Sequence, residues 1–400
     1  MSELIQSLKS KRFFLYFLIQ TTSILGSWMQ YMALGWITYR TTGSPTALGI
    51  VGLVGGLPLL LLSPLVGPII DQSNKRLLLV ATQSLLFMQA FLLGILSLNN
   101  QLSYVFILFL SLTQGIVYAV DQPLRQAILP SLIDNKGLLQ NAIALTSISN
   151  NVARVLGPTL SGIIILHYSE SVCFFFDAGT FFTMAVFIFS IKIRLTPKST
   201  SSFSTLWKQG FYYIKGNKII FESLCLAFII SATVGSYTML MPVISNTVYG
   251  GNPAIQGYLI AASGIGAIIA GLYTAKYPKT PQSLIKAIPV ASIISSSALI
   301  AFCYTTSALL GAFALFIVGG AMVIATLSLN TLIQLITVDE KRGYVMSFFT
   351  MAYLGTSPIS KVCSGFLAER FGVLQMLITA ALICIGFSVL YSRRSAIQKK

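Results

Sequence analysis

Several charged side chains lie within or at the ends of long apolar stretches of this 400-residue chain, and five of them are the first candidates for chemistry. They are Asp121, Arg125, Arg154, Asp177 and Lys361. If those stretches cross a membrane, a charge near the bilayer centre costs roughly 2.5–3.5 kcal/mol, so it usually faces a cavity or a partner. The chemistry open to these residues is ion pairing, anion binding and proton binding.

Asp121 and Arg125 are four residues apart, near the end of one apolar stretch. On a helix this spacing allows an ion pair between adjacent turns. Arg125 could also reach Asp71 or the polar segment around it. We interpret the pair as part of a gate network, with direct contact to a substrate as the alternative.

Arg154 precedes a Gly157-Pro158 step, which interrupts the regular hydrogen-bond ladder and predicts a helix that can bend. Arg154 either binds an anionic substrate or pairs with Asp121 or Asp177. Lys361 has no obvious partner in its own turn. It either attracts anions into a cavity or extends its ammonium towards the membrane surface.

Asp177 lies between Phe176 and Phe181 in an apolar stretch. If it is buried, burial disfavours the charged carboxylate, and the group could take up a proton. The alternative is a structural hydrogen bond to a helix end. His167, the one histidine of the chain, is either a proton relay or an interfacial side chain.

Enzyme chemistry is not indicated by the remaining residues. No nucleophile–base pair or metal-binding set is visible, and none of the five cysteines forms a pair with metal spacing. A Gly-x4-Gly-Lys-Ser/Thr loop for nucleotide phosphates is absent. We therefore expect no enzyme activity, no metal and no cofactor.

The composition indicates a helical membrane protein. The chain is 55% hydrophobic and 9% charged, whereas soluble domains carry about 25% charged residues. Its net charge of +16 could suggest nucleic acid. With the amino terminus in the cytoplasm, however, every Lys and Arg except Arg40, Arg154, Lys361 and Arg370 falls on the cytoplasmic side, which is the usual bias of membrane proteins. The expected partner is thus the lipid bilayer, with no nucleic acid.

Hydropathy predicts an all-α membrane protein with twelve transmembrane helices and both termini in the cytoplasm. The predicted spans are 13–39, 47–70, 77–98, 102–122, 138–166, 171–191, 219–248, 254–275, 283–304, 307–330, 344–368 and 372–391. A basic, serine-rich segment divides them into two six-helix halves, so the expected organisation is 1–191 as the first bundle, 192–218 as a cytoplasmic linker and 219–400 as the second bundle.

A polar decapeptide, residues 67–76, separates the second and third predicted spans. It contains Gly67, Asp71, Lys75 and Arg76 and predicts a tight turn between two helices. The glycine would let the helices approach closely, while the acid and the bases could bind neighbouring helix ends and release them.

Four motifs carry a resemblance to a known family. They are the segment 67–76, Gly26-Ser27-Trp28-Met29-Gln30, Asp121-Gln122-Pro123-Leu124-Arg125, and Asn151-Val152-Ala153-Arg154 continuing to Gly157-Pro158 and Gly162. Together they resemble the major facilitator superfamily, in the branch that includes the enterobactin exporter and the macrolide efflux proteins. The resemblance implies a gate formed by residues 67–76 with Asp121 and Arg125. It also implies a cavity lined by spans one, four, seven and ten, which adds Gln30, Tyr237, Asn330 and Gln334 to Arg154, Asp177 and Lys361 as candidates.

The two halves look like repeats of one unit. Asp121-x3-Arg125 has a neutral counterpart in Asn330-x3-Gln334, Gly162 has a counterpart in Gly365, and Lys361 aligns roughly with Pro158. The first half keeps the charged versions, so the gating contacts are expected to be asymmetric.

The resemblance implies a secondary transporter of a bacterial inner membrane that works by alternating access. We expect it to export a siderophore or a similar small metabolite, and the two cations favour an anionic one. Macrolide or multidrug efflux and siderophore uptake are the alternatives. The proton is a candidate coupling ion. Ser111 occupies the arginine position of the Arg-x2-Gln-Gly pattern of many drug/proton antiporters, which argues against coupling through span four.

Overall fold

The computed structural model describes residues 6–133, 136–191, 214–276 and 280–397, and α-helix dominates throughout these ranges. Twelve long helical segments are seen in them, two of which are interrupted. The larger part of the predicted linker, residues 192–213, lies outside the described residues.

Six helices precede the linker. They are α1 (Lys11–Thr42), α2 (Pro45–Gln72), α3 (Lys75–Leu98), α4 (Tyr104–Ile128), α5 (Leu139–His167) and α6 (Glu170–Ser190). Short 3₁₀ turns flank them at Gln6–Lys9, Leu129–Ser131 and Lys136–Leu138.

Eight helices follow the linker and make up six segments. They are α7 (Lys218–Ala232), α8 (Tyr237–Val248), α9 (Pro253–Lys276), α10 (Pro281–Cys303), α11 (Ala308–Ile336), α12 (Asp339–Thr350), α13 (Ser357–Phe371) and α14 (Val373–Ile397). A 3₁₀ turn at Val234–Ser236 joins α7 to α8, and a π-helical turn at Met351–Gly355 joins α12 to α13.

Nine of the twelve segments, within the described ranges, are long and apolar enough to cross a membrane. The three segments that do not reach that apolarity are α1, α5 and the pair α12–α13. The lower apolarity of α1 and α5 is due to polar residues along their length, such as Gln20, Gln30, Asn150 and Arg154. The least apolar segments are thus those in which polar groups are most concentrated.

Three predicted boundaries need correction. α2 extends to Gln72 and α3 begins at Lys75, so the turn between them is two residues rather than ten. Asn74 caps α3 by accepting hydrogen bonds from the backbone N–H groups of Arg76 and Leu77. α4 continues through Pro123 to Ile128, which places Asp121 and Arg125 inside the helix and not at its end.

The fifth span is one continuous helix. α5 runs through Gly157 and Pro158 without a break in its helical assignment, so the predicted bend at this step stays a prediction. The interruptions occur instead in the seventh and eleventh spans, where helices had been expected to be continuous. The last turn of α7, just before the 3₁₀ turn, contacts the π turn, because Ser231 Oγ donates a hydrogen bond to the carbonyl oxygen of Tyr353.

The chain forms two compact units. The first contains residues 1–43, 51–200 and 252–258, and the second contains residues 44–50, 201–251 and 259–400. In the first unit, α1 packs along α5 and α6 and α3 packs along α6. Phe13, Leu79, Leu124, Met184 and Ile188 are fully buried in one core cluster there.

Candidate functional site

Asp121 is the centre of a buried polar network in the first unit. Its Oδ2 accepts a hydrogen bond from Arg125 Nε at 2.6 Å, which confirms the expected pair one turn apart. Its Oδ1 accepts from Thr82 Oγ1 at 2.8 Å and from Gln83 Nε2 at 2.6 Å. Arg125 NH1 in turn donates to Gln20 Oε1 at 2.5 Å. Both charges are therefore compensated by short bonds, and the network joins α1, α3 and α4.

Arg76 binds the carboxyl-terminal end of α6. Its guanidinium donates from Nε to the carbonyl oxygen of Ile188 at 3.2 Å and from NH2 to that of Phe189, and it lies over the Phe189 ring. These are the last carbonyl groups of the helix, where a cation is favoured by the helix dipole. Lys75 lies in the first turn of α3. The surroundings of Gly67 and the side chain of Asp71 lie outside the described part of the chain, so that part of the gate prediction stays a prediction.

Arg154 is a half-buried cation on α5, and it forms no ion pair or hydrogen bond with any described residue. The predicted alternatives, pairing with Asp121 or Asp177, are not seen. Ser147, Asn150 and Asn151 precede it at helical spacing, and all three are exposed. Because residues i, i+3, i+4 and i+7 share one helix face, these four side chains form a polar stripe, which we call the α5 stripe.

Asp177 is completely buried on α6. Its Oδ1 is near two hydroxyl groups, Thr180 Oγ1 at 3.3 Å and Ser27 Oγ at 3.4 Å. Its Oδ2 has no hydrogen-bond partner among the described residues. The expected bond to a helix end is therefore wrong, since its neighbours are side-chain hydroxyls.

Two predicted cavity residues are in fact packed inside their units. Gln30 is fully buried, and its Nε2 donates to Gln89 Oε1 of α3 at 3.3 Å. Tyr237 is 2% exposed, and its hydroxyl shares a hydrogen bond with Ser263 Oγ of α9. Both side chains stabilise helix contacts and do not line an open surface.

Asn330 and Gln334 lie on α11, with Gln334 exposed and Asn330 half-buried. Gln334 Nε2 donates to Asn330 Oδ1 at 2.6 Å, and Arg342 Nε donates to the Gln334 carbonyl oxygen at 3.3 Å. The neutral pair thus repeats the geometry of Asp121 and Arg125, as the internal repeat predicted.

Glycine contacts show the same repetition. In the first unit, a Cβ placed on Gly162 would lie 2.5 Å from the Pro253 carbonyl oxygen, and one on Gly257 would lie 2.4 Å from that of Pro158. In the second unit, a Cβ on Gly365 would lie 2.5 Å from the Pro45 oxygen, and one on Gly49 would lie 2.6 Å from the Lys361 oxygen. Pro158 and Lys361 therefore occupy equivalent positions. Lys361 itself is half-buried.

Sequence reasoning missed several residues of these sites. Thr82 and Gln83 complete the Asp121 network together with Gln20. The sequence gives no signal that isolated polar residues on different helices contact one another. The stripe residues Ser147 and Asn150 had a usable signal, because polar residues recur at helical spacing before Arg154.

The sequence of this helical membrane protein matches a known transporter family. A model of a major facilitator family described as "Transmembrane secretion effector" matches residues 4–399. The chain belongs to this family. It is accordingly a multi-pass membrane protein and a transporter of small molecules rather than an enzyme, as the sequence predicted.

Two relatives cover nearly the whole transporter. The staphyloferrin A transporter of Staphylococcus aureus is 29% identical over 365 residues, which are 88% of each chain. Macrolide efflux protein A of Streptococcus pyogenes is 19% identical over 391 residues, which are 95% of each chain. The predicted branch of the superfamily is thus confirmed.

Solved structures show the same fold. A mutant of the nucleoside transporter NupG has a TM-score of 0.73 at 14% identity, covering 96% of this chain and 99% of that one. A bacterial homologue of the human lysosomal transporter Spinster, inward-facing and unoccupied, has a TM-score of 0.72 at 15% identity, covering 97% and 98%. At these identities the likeness shows the fold alone.

Proposed function

We propose that the transporter exports an anionic siderophore across a bacterial inner membrane by alternating access. The observation that carries this proposal is Arg154, a cation without a counter-ion among the described residues, at the end of the exposed α5 stripe. A guanidinium in a membrane helix is retained at a considerable cost. An anionic group of the substrate would supply the missing counter-charge.

The α5 stripe also suits the rest of such a ligand. Asn150 and Asn151 each donate from Nδ2 to a backbone carbonyl four residues earlier, that of Thr146 and Ser147 respectively, at 3.0 Å. Their amide oxygens point away from those bonds and can accept hydrogen bonds from a ligand. An exposed polar face on a transmembrane helix is unfavourable in lipid, so it fits a water-filled cavity.

The direction and the ligand class are supported by relatives. The family description names secretion, and one relative is a staphyloferrin A transporter. The distribution of Lys and Arg favours both termini in the cytoplasm. The similarity to a macrolide efflux protein favours drug efflux as the second candidate function.

For the gate, we propose that Asp121 and Arg125 act with Lys75, Arg76, Gly67 and Asp71. Arg76 fixes the start of α3 to the end of α6. The short turn at Ser73-Asn74 makes α2 and α3 move together, so a change at the Asp121 network would be transmitted to this helix pair.

The function can be tested in a host strain that lacks the gene, compared with its parent under iron limitation. Mass spectrometry of the culture supernatant should show that one iron-chelating metabolite is missing, while the same metabolite accumulates in the cells. An unchanged supernatant with slower growth on an added ferric siderophore would reverse the direction to uptake. An unchanged supernatant with increased macrolide sensitivity would favour drug efflux.

A further inference from the structure

The first unit holds two buried aspartates whose surroundings differ sharply. Asp121 receives three bonds of 2.6–2.8 Å, one of them from a guanidinium. Asp177 receives two long contacts of 3.3 and 3.4 Å from hydroxyls, and its Oδ2 has no partner in the described residues. One carboxylate is fully compensated, whereas the other is buried with almost no compensation.

A buried ionised carboxylate needs a cation or several hydrogen bonds, and without them its desolvation is very costly. The protonated carboxyl group removes that cost, because a neutral acid requires far less solvation. The surroundings of Asp177 therefore suit a carboxyl that carries a proton, and those of Asp121 suit a carboxylate.

The charged and titratable groups around Asp177 agree with this assignment. From α1 come Gly26 and Ser27, which are uncharged. The α5 cation Arg154 makes no bond to Asp177. From α4 comes Tyr118, with Asp121 one turn and Arg125 two turns further along the helix. On α6 itself the titratable residues are Cys173 and Glu170, and Glu170 is paired with Arg40 at 3.1 Å.

The Oδ1 side of Asp177 has no room for a metal cation. The carboxyl group packs directly on the backbone of α1, since a Cβ placed on Gly26 would lie 2.6 Å from Asp177 Oδ1. Even one methyl group is excluded there. A proton requires no such space.

A chain of hydroxyl groups connects the buried carboxyl to a less buried side chain. Tyr118 is half-buried on α4, and its hydroxyl donates to Ser27 Oγ at 3.1 Å. Ser27 Oγ lies in turn beside Asp177 Oδ1. Both hydroxyl groups can donate and accept, so a proton can pass along them in either direction.

We propose that Asp177 is the proton-binding site of this transporter and that Ser27 and Tyr118 connect it to water. On loading, a hydronium ion gives a proton to the Tyr118 oxygen and becomes water, the Tyr118 proton moves to Ser27, and the Ser27 proton moves to the carboxylate. On release, each O–H bond breaks and forms in the reverse order, and the proton returns to water. The inference concerns the coupling ion and goes beyond the proposed substrate.

The test is infrared spectroscopy of the purified full-length transporter in lipid nanodiscs at neutral pH, with no transported substrate present. The wild type should show the carbonyl stretch of a protonated carboxyl group. Asp177→Asn should abolish this band, and Asp121→Asn should leave it. Exchange into D₂O shifts the band, and this shift should be several-fold slower in Ser27→Ala and Tyr118→Phe than in the wild type.

Three results would overturn the proposal. They are a wild type without the band, a band that survives in Asp177→Asn, and a band that disappears when sodium chloride replaces potassium chloride, which would indicate a sodium site. If Asp177→Asn does not fold, the wild-type band and its exchange rate in Ser27→Ala still decide the matter. Because no substrate is used, a wrong siderophore assignment would leave the result unchanged.

Discussion

Arg125 and Asp121 are joined by a 2.6 Å bond across one turn of α4, deep inside the first unit. Gln334 and Asn330 are joined at the same spacing and distance on α11, on a more exposed face. The two units therefore share a local geometry but differ in charge and burial. This difference predicts that the two pairs contribute unequally to stability.

Asp121→Ala should lower the free energy of unfolding by about 3–5 kcal/mol, because it leaves the guanidinium of Arg125 buried without its partner. Asn330→Ala should cost about 1 kcal/mol or less, since a neutral exposed bond is lost. Denaturation of the purified variants in detergent measures both. The double variant Asp121→Asn/Arg125→Gln should lose less stability than the sum of the single variants, and additive losses would show that the pair does not act as a unit.

Arg125→Gln should reduce transport strongly while leaving substrate affinity nearly unchanged, because we place this residue in the gate and not at the ligand. Transport is measured in proteoliposomes and affinity in detergent, with the metabolite identified from the deletion strain. A parallel loss of affinity would contradict the gate assignment.

Arg154→Gln should weaken binding of an anionic substrate by about 10- to 100-fold, because a hydrogen bond to a charged group contributes about 1.5–3 kcal/mol. Binding of a neutral macrolide should change little. Lys286→Gln is a matched control, since it removes an exposed cation from α10. Equal losses for the anionic and the neutral ligand would rule out the anion-binding role.

Gly157→Ala should destabilise the transporter by about 1–3 kcal/mol, because the added Cβ would lie 2.5 Å from Trp28 Cβ and force α1 and α5 apart. Gly179→Ala on α6 is the control, since nothing lies within 4 Å of its added Cβ. It should be stabilising by about 0.5–1 kcal/mol through helix propensity. Thermal unfolding in detergent distinguishes the two, and similar effects would contradict the packing argument.

The hydrogen bonds of Glu369, at the end of α13, should make the stability of the transporter depend on pH. Its carboxylate accepts bonds from Ser44 Oγ at 2.6 Å and from the Thr46 backbone N–H at 3.0 Å. These bonds, that from Ser44 first, lower the pKa of Glu369 below its ordinary value of 4.5. Because its pKa is lowered in the folded protein, Glu369 contributes its full stabilisation when the pH is above the ordinary pKa. This stabilisation is lost as the pH falls through the lowered pKa.

Glu369→Gln should therefore be less stable than the wild type at neutral pH, and the difference should shrink as the pH falls below about 4.5. Unfolding midpoints measured over this range check it, with Ser44→Ala expected to follow the same course. A difference that grows in acid would show that the ionised carboxylate is not the stabilising form.

The sequence by itself determined the membrane class, the number of long helical segments and the family. These properties are local or additive: hydrophobic length sets a span, and short motifs with glycine, proline and charge identify the superfamily. The ion pair of Asp121 and Arg125 was also predictable, because residues four apart on a helix must be neighbours.

Only the tertiary structure decided which polar residues are buried and what each one contacts. The sequence treated Gln30 and Tyr237 as cavity residues, but helix packing turns both inward. It left Asp177 open between proton uptake and a hydrogen bond to a helix end. Side chains from other helices compensate Asp121 and leave Asp177 with an unpartnered oxygen. Such differences arise from contacts between residues far apart in the chain. Helical periodicity predicts which residues are neighbours within one helix, but not which residues of two helices contact each other.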